Sequence, residues 1–463
     1  MANFFKENTK KQVNKQSKQT NIITIDKLDL NGCGVGRYQQ KPIFVTGSLP
    51  SESVEIRITE QKNKYVLAKL LKVNKASEHR VAAQCQHFSL CGGCDLQHLD
   101  YAEQLLFKQK KIVELLSRSG ISSELINELP WQKPIKSNEL HYRRKARIGV
   151  QFDKNSHAII GFRQKATNQL VAVKSCPVLV KPACDIFPLL KTLLAKLTVK
   201  KAIGHIEVIS ADVVNDKTNK LTLVVRQIRP INAHDRQLWQ EYAEKNDWNV
   251  RFLESKRGQK DNEEQRNIAG SELSSGELSY QLLDDIHIHF SNTDFIQINQ
   301  TVNLAMIKQA LDWLMLEPND QVLDLFCGLG NFSLPLAKKV AKVVGVEGVQ
   351  TMVDKALANA KSNKINNCQF YQADLNSQWL SSGWAKNNFT KVLLDPARGG
   401  AEQAVEQVAQ LNIATILYVS CDPTTLASDS KILLDKGYTI VKIGLIDMFS
   451  QTKHVETMVL FQR

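Results

Sequence analysis

Asp324-Leu325-Phe326-Cys327-Gly328-Leu329-Gly330-Asn331-Phe332 is the stretch on which the fold turns. It follows the apolar run QVLDLF and opens a helical segment, so it reads as a strand, a glycine-bearing loop and a helix start. Upstream, TVNLAMIKQALDWLML has the apolar spacing of a helix. Downstream, VVGVE, CQFYQAD, KVLLDPA and TILYVSC are short apolar runs separated by helical segments. Alternation of this kind predicts a parallel, doubly wound α/β sheet. The last two runs, TIVKIGLIDMF and VETMVLFQR, lie too close together for a crossover helix and should pair as an antiparallel hairpin at the sheet's edge.

Open α/β sheets bind ligands beyond the carboxyl ends of their strands. Glu347 ends the second strand, where a carboxylate can accept hydrogen bonds from ribose hydroxyls. Asp374 follows the third strand and is either an adenine-side contact or an ordinary strand-end acid. A dinucleotide site would want a third glycine to admit a pyrophosphate, and Phe332 stands near that position. The loop therefore favours S-adenosylmethionine over NAD.

Asp395-Pro396-Ala397-Arg398 closes the fourth strand and Ser420-Cys421-Asp422-Pro423 the fifth. A strand cysteine is commonly a core residue, but the Asp-Pro flank and the adjoining cofactor loop favour a nucleophile at Cys421. A thiolate beside a methyl donor suits one chemistry in particular. Carbon 5 of a pyrimidine becomes nucleophilic once sulfur has added to carbon 6. A base must then remove the carbon 5 proton, and Glu456, in His454-Val455-Glu456-Thr457, is the candidate, the alternative being a solvated strand carboxylate.

The 463 residues suit several domains, and 43% hydrophobic with 23% charged residues is ordinary globular composition. Lys and Arg total 60 against 47 acids, a net of +13. From Phe290 onward there are 15 basic and 16 acidic residues, so the stretch before it carries 45 against 31. All of the excess positive charge thus lies in the first part, as a docking region for a polyanion would require, although a generally basic surface gives the same count. Residues 1–20 carry five lysines and one glutamate and read as a basic flexible arm. No stretch reads as a secretory signal or a membrane span, so the expectation is a cytoplasmic protein whose nine cysteines serve metal or catalysis rather than disulfides.

Short β-type runs from Asn21 (IITIDKLDL, KPIFVTG, SVEIRIT, YVLAKLLKV) suggest a small OB-like barrel over 21–80. Residues 81–289 follow as a mixed α+β domain, with a helix at YAEQLLFKQKKIVELLSRSG, strands at ARIGVQF, AIIGF, HIEVIS, KLTLVVRQI and IHIHF, and a surface loop over Ser255–Ser275. Its His141-Tyr142-Arg143-Arg144-Lys145 patch can meet phosphates and stack on a base, or be a solvated strand edge. Residues 290–463 form the doubly wound domain. Cys85, Cys91 and Cys94 form a cluster of the kind that metal-binding thiols make.

In combination, Phe295-Ile296-Gln297-Ile298-Asn299, Asp324–Phe332, Asp395–Arg398, Ser420–Pro423 and His454–Thr457 resemble the RNA uracil-C5 methyltransferases. The resemblance implies a Rossmann-like class I methyltransferase domain at 290–463. It implies S-adenosyl-L-methionine contacts at Gln297, Phe326, Asn331, Glu347, Asp374 and Asp395, with Cys421 as nucleophile and Glu456 as proton acceptor. Gly32-Cys33-Gly34-Val35-Gly36-Arg37 makes the barrel similar to a TRAM RNA-binding domain. Cys85, Cys91, Cys94 and Cys176 are similar to the [4Fe–4S] motif of the ribosomal-RNA branch, which implies 23S ribosomal RNA as substrate, at one uridine or two. No membrane and no obligate protein partner is expected. A radical methylthiotransferase and a non-catalytic RNA-binding assembly factor are the competing readings; the cysteine spacing weighs against the first and the Cys421–Glu456–glycine-loop set against the second.

Overall fold

The computed structural model describes residues 20–213, 220–254, 267–272 and 278–463. The basic arm therefore lies outside the described residues, apart from Thr20. Two compact units are present, one built from the chain up to Ala83 with Asp95–Phe107, the other from Gln84–Cys94 with Lys108–Arg463. No helix among the described residues is long and apolar enough to cross a membrane.

The first unit is a closed five-stranded barrel of Thr20–Leu28, Gly34–Tyr38, Lys41–Thr46, Ser53–Gln61 and Val66–Lys75. Alternate residues point inward, and Ile23, Ile25, Ile43, Val45, Val54, Ile56, Val66 and Ala68 fill the interior. A Cβ on Gly34 would lie 2.1 Å from the Ser48 hydroxyl, and one on Gly36 2.3 Å from the Thr24 carbonyl, so neither position has room for a side chain. Glu52 is buried and takes two bonds from Arg80, at 2.5 and 2.8 Å, besides one from the Leu49 amide at 2.8 Å.

The second unit holds two large sheets. One runs in the order Asn267–Glu272, Trp248–Glu254, Leu221–Gln227, Ile203–Ser210, Lys145–Phe152, Ala158–Arg163, Leu170–Ala172. Asn267–Glu272 corrects part of the expected Ser255–Ser275 loop, since it pairs antiparallel with Trp248–Glu254; the rest of that stretch lies outside the described residues. Trp248–Glu254 is a strand that the sequence pattern does not announce, and its parallel pairing with Leu221–Gln227 spans the helix Ala233–Asn246.

The C-terminal sheet comprises β1 (Gln321–Leu325), β2 (Lys342–Glu347), β3 (Cys368–Gln372), β4 (Lys391–Leu394), β5 (Thr415–Ser420), β6 (Thr439–Ile446) and β7 (Glu456–Gln462). Its order is 3-2-1-4-5-7-6, parallel except for β7, which is antiparallel to both β5 and β6. The expected hairpin is present, and it folds back so that β7 lies inside and β6 forms the edge. Nearly continuous burial along these strands reflects cover on both faces.

Candidate active site

The glycine loop leaves β1 through a left-handed turn, with φ of 64° at Phe326, 54° at Gly328 and 92° at Gly330. The amides of Phe326 and Cys327 donate to the Val346 carbonyl at 2.9 and 3.2 Å, which fastens the loop to the end of β2. Gly328 N–H donates to Glu347 Oε2 at 3.2 Å, and Val349 N–H to Glu347 Oε1 at 3.1 Å. A Cβ on Gly328 would meet nothing within 4 Å, so open space adjoins this backbone. Phe332 is buried and precedes the short helix Ser333–Ala337, in keeping with a loop that has no third glycine.

Asp324, near the end of β1, is a residue to which the sequence pattern assigns no role. It is fully buried; its Oδ2 accepts from the Ser333 hydroxyl at 2.5 Å, while Oδ1 has no hydrogen-bond partner. Burial, reinforced by the charges of Asp395 and Glu347, pushes its carboxyl up to about 7. Burial likewise raises Asp395, just past β4, to about 7. Gln297 is buried with Oε1 unpartnered, and its carbonyl accepts from Arg144 Nε at 2.8 Å. Both orphaned acceptors can take donors from a polar ligand, because buried oxygens are costly to leave unsatisfied. Two expected contacts stand differently. Asn331 exchanges amide bonds with the buried Asn303 at 3.0 Å in each direction. Asp374 is exposed and accepts from the Asn376 amide at 3.0 Å, an Asx turn.

Strand register brings Cys421 and Glu456 together. Ser420 of β5 is paired with Thr457 of β7, so Cys421 and Glu456, one step further in opposite directions, face each other across adjacent strands. Cys421 is part-buried, and burial, then the charges of Glu456 and Asp395, lift its thiol to about 11 against the opposing pull of Arg398. Asp422 caps the following helix, accepting from the Thr424 amide at 2.8 Å, and Pro423 starts it. The sulfur is thus next to a helix N-terminus, which favours negative charge. Glu456 is only 5% exposed and its Oε2 has no partner. Burial, then Asp395, raises it to about 8, with Asp447 adding to the rise and Lys108 opposing it.

The cysteine stretches at 85–94 and 176 do meet. Gly92 N–H donates to Arg163 O and Lys165 N–H to Leu90 O, both at 2.9 Å, and Lys174 N–H reaches the His87 ring at 3.1 Å. Burial raises the Cys176 thiol to about 11, and the charges of Cys85 and Cys91 add to the rise. Tyr142 senses both Cys94 and Cys176. Among the described residues, however, no three His, Cys, Asp or Glu side chains form a group that could hold a metal ion.

A largely basic cavity of about 390 Å³ opens beside Phe295, lined by Arg143, Lys145, Arg147 and Arg226 with Glu207 and Asp294 among them. Phe295 is 70% exposed, whereas Tyr142 is buried with its hydroxyl donating to Ser450 O at 2.8 Å. In the stretch leading into Lys145–Phe152, Tyr142 and Arg144 are buried while Arg143 and Lys145 line the cavity, so the ring free to stack on a base is Phe295, not Tyr142.

Residues 100–463 match the family model described as tRNA (Uracil-5-)-methyltransferase, and residues 15–71 match the TRAM domain. Over its whole length the chain is 58% identical to a Colwellia psychrerythraea protein described as 23S rRNA (uracil(1939)-C(5))-methyltransferase RlmD, 99% of which is covered. It is 42% identical to a protein of the same description from Aliivibrio salmonicida, with both chains covered completely. Among solved structures it resembles Pyrococcus abyssi tRNA (uracil-54, C5)-methyltransferase in complex with S-adenosyl-L-homocysteine, at a TM-score of 0.71 over 95% of this chain and 99% of that one; at 23% identity the likeness is one of fold.

Proposed function

The chain belongs to the tRNA (uracil-5-)-methyltransferase family, and on that premise we propose that it methylates carbon 5 of a uridine in 23S rRNA with S-adenosylmethionine as donor. The target is the uridine at position 1939 that its relatives are named for. What carries the chemical part of the reading is the register that sets Cys421 opposite Glu456 at the carboxyl edge, beside the glycine loop.

S-adenosylmethionine, when bound, supplies an electrophilic methyl group on sulfur. Gln297, Phe326, Glu347 and Asp395 would hold it, with Asp324 as a further partner and Asn331 and Asp374 at the periphery. Cys421 gives up its proton to solvent and its sulfur bonds to carbon 6 of the uracil, moving the C5–C6 electron pair to carbon 5, which takes the methyl group and leaves S-adenosylhomocysteine. Glu456, as carboxylate, then accepts the proton from carbon 5. The C5–C6 double bond re-forms, the C6–S bond breaks, and the thiolate leaves. The uracil must quit its stack to reach Cys421. Arg143, Arg147 and Arg226 hold flanking phosphates, and Phe295 offers a stacking face.

Cys85, Cys91, Cys94 and Cys176 are assigned to a [4Fe–4S] cluster. Support comes from the family resemblance and from the mutual charge coupling of Cys85, Cys91 and Cys176. A single ion needs its donors at one point, whereas a cluster takes its thiolates on separate irons. Iron and acid-labile sulfide analysis of anaerobically purified protein tests this, and a four-to-four stoichiometry is the expected outcome. The methylation itself is tested by incubating the protein with unmethylated 23S rRNA and labelled donor, then mapping the methyl group by mass spectrometry. One 5-methyluridine is expected; no incorporation would refute the assignment.

A further inference from the structure

Beneath the reactive pair lies a buried ion pair that the chemistry above does not use. Lys108 is 1% exposed and Asp447 fully buried, with 2.5 Å between Nζ and Oδ1. Lys108 also donates to Phe449 O at 3.0 Å, and Ser450 Oγ donates to Asp447 Oδ2 at 2.6 Å. Lys111, one turn on in the helix Tyr101–Arg118, reaches Lys453 O at 3.2 Å. Asp447 directly follows Ile446, and Ile446 is the register partner of Glu456. The ion pair therefore flanks the carboxylate that must accept a proton, and the segment tied down by Lys108 and Lys111 is the one that leads into Glu456.

We propose that Lys108 is a positioning residue for Glu456: it anchors the β6–β7 connection through Asp447 and supplies the buried positive charge against which the Glu456 carboxylate forms. This rests on the covalent reading given above. The groups facing Glu456 are Asp395 from the end of β4, Cys421 from β5, Asp447 from the β6–β7 connection and Lys108 from its helix, with Arg398 acting on Cys421. Lys108 is the one cation in that set acting on Glu456, and burial with the Asp395 and Asp447 charges set against it makes the carboxylate hard to form.

Cys421 acts before Glu456, so the two halves of the reaction can be read separately. Single turnovers on RNA carrying tritium at carbon 5 give adduct formation and tritium release as independent signals. In Lys108→Met, adduct formation should stay within a few-fold of wild type. Tritium release should fall at least tenfold at pH 7, recover as the pH is raised, and leave methylated covalent complex to accumulate. Asp447→Asn removes an anion and keeps the cation, so its release profile should move the other way, toward lower pH. A merely structural pair would not shift the two profiles in opposite directions. An unshifted release profile in both variants would overturn the proposal, as would an equal loss of adduct formation and release in Lys108→Met with no acid-ward shift in Asp447→Asn. Failure of the covalent reading would be seen separately, as wild-type protein and Glu456→Gln that both form no adduct.

Discussion

The barrel and the catalytic edge treat a buried carboxyl in opposite ways. Glu52 in the barrel is buried, and although burial alone would raise it, the Arg80 guanidinium and the Leu49 and Ser77 amides hold it below the usual glutamate range. Asp324, Asp395 and Glu456 are raised to about 7, 7 and 8, and Asp324 and Glu456 each keep an oxygen with no hydrogen-bond partner. A carboxyl that only has to hold a fold is satisfied by its own chain. Those at the edge are left to be satisfied by ligand or by a proton in transit, and their discomfort marks the site.

The sharpest way to break that contrast is through activity. Cys421→Ala should lower methyl transfer by on the order of 10⁴-fold or more, measured with labelled donor, because no other group supplies the sulfur. Glu456→Gln should slow turnover by roughly 10²–10⁴-fold with the covalent complex accumulating on denaturing gels, while the midpoint of chemical denaturation stays near wild type or rises. Arg80→Ala should do the reverse. It removes the partner of a buried charge, at a cost of about 3 kcal/mol in the stability of the barrel, and leaves the chemical step of bound RNA intact. Equal effects of Arg80→Ala and Glu456→Gln on both readouts would erase the distinction.

The pH dependence carries the smallest effect and the clearest sign. A lowered carboxyl such as Glu52 contributes stability above its unfolded value, and the contribution is lost as pH falls. The raised carboxyls behave oppositely: their contribution is complete below about 4 and drains away as pH rises through about 7 to 8. Asp324→Asn should therefore flatten the decline of stability between about pH 4 and about pH 7 in ligand-free protein, and Glu52→Gln the loss at acid pH, as followed by thermal melts across pH. In the reaction, proton removal by Glu456 should accelerate up to pH about 8 and level off beyond it.

The doubly wound sheet was legible because strand, glycine loop, helix and strand-end acid recur in a fixed order along the chain. Cys421 and Glu456 could each be nominated from their flanks. Their meeting could not, since it depends on β7 folding back between β5 and β6, an outcome of tertiary pairing rather than of local pattern. Lys108 and Asp447 lie 339 residues apart, and nothing in a lysine-rich helix singles out the one lysine that is buried. Tyr142 departs from the pattern for a related reason. Its neighbours read as a basic, exposed patch, but the ring is buried and its hydroxyl donates to the distant Ser450 carbonyl. Asn331, for its part, is committed to Asn303, a partner supplied by a different helix.

The central claim is that Cys421 adds to carbon 6 and Glu456 releases the product. Fluorine at carbon 5 of the target uridine leaves no proton for Glu456 to take, so the complex should stop after methyl transfer. Mass spectrometry of the protein after incubation with such RNA and S-adenosylmethionine should show wild type carrying RNA plus one methyl group, attached at Cys421, and Cys421→Ala carrying none. Methylation of ordinary RNA by Cys421→Ala, or an adduct at any other residue, would contradict the account.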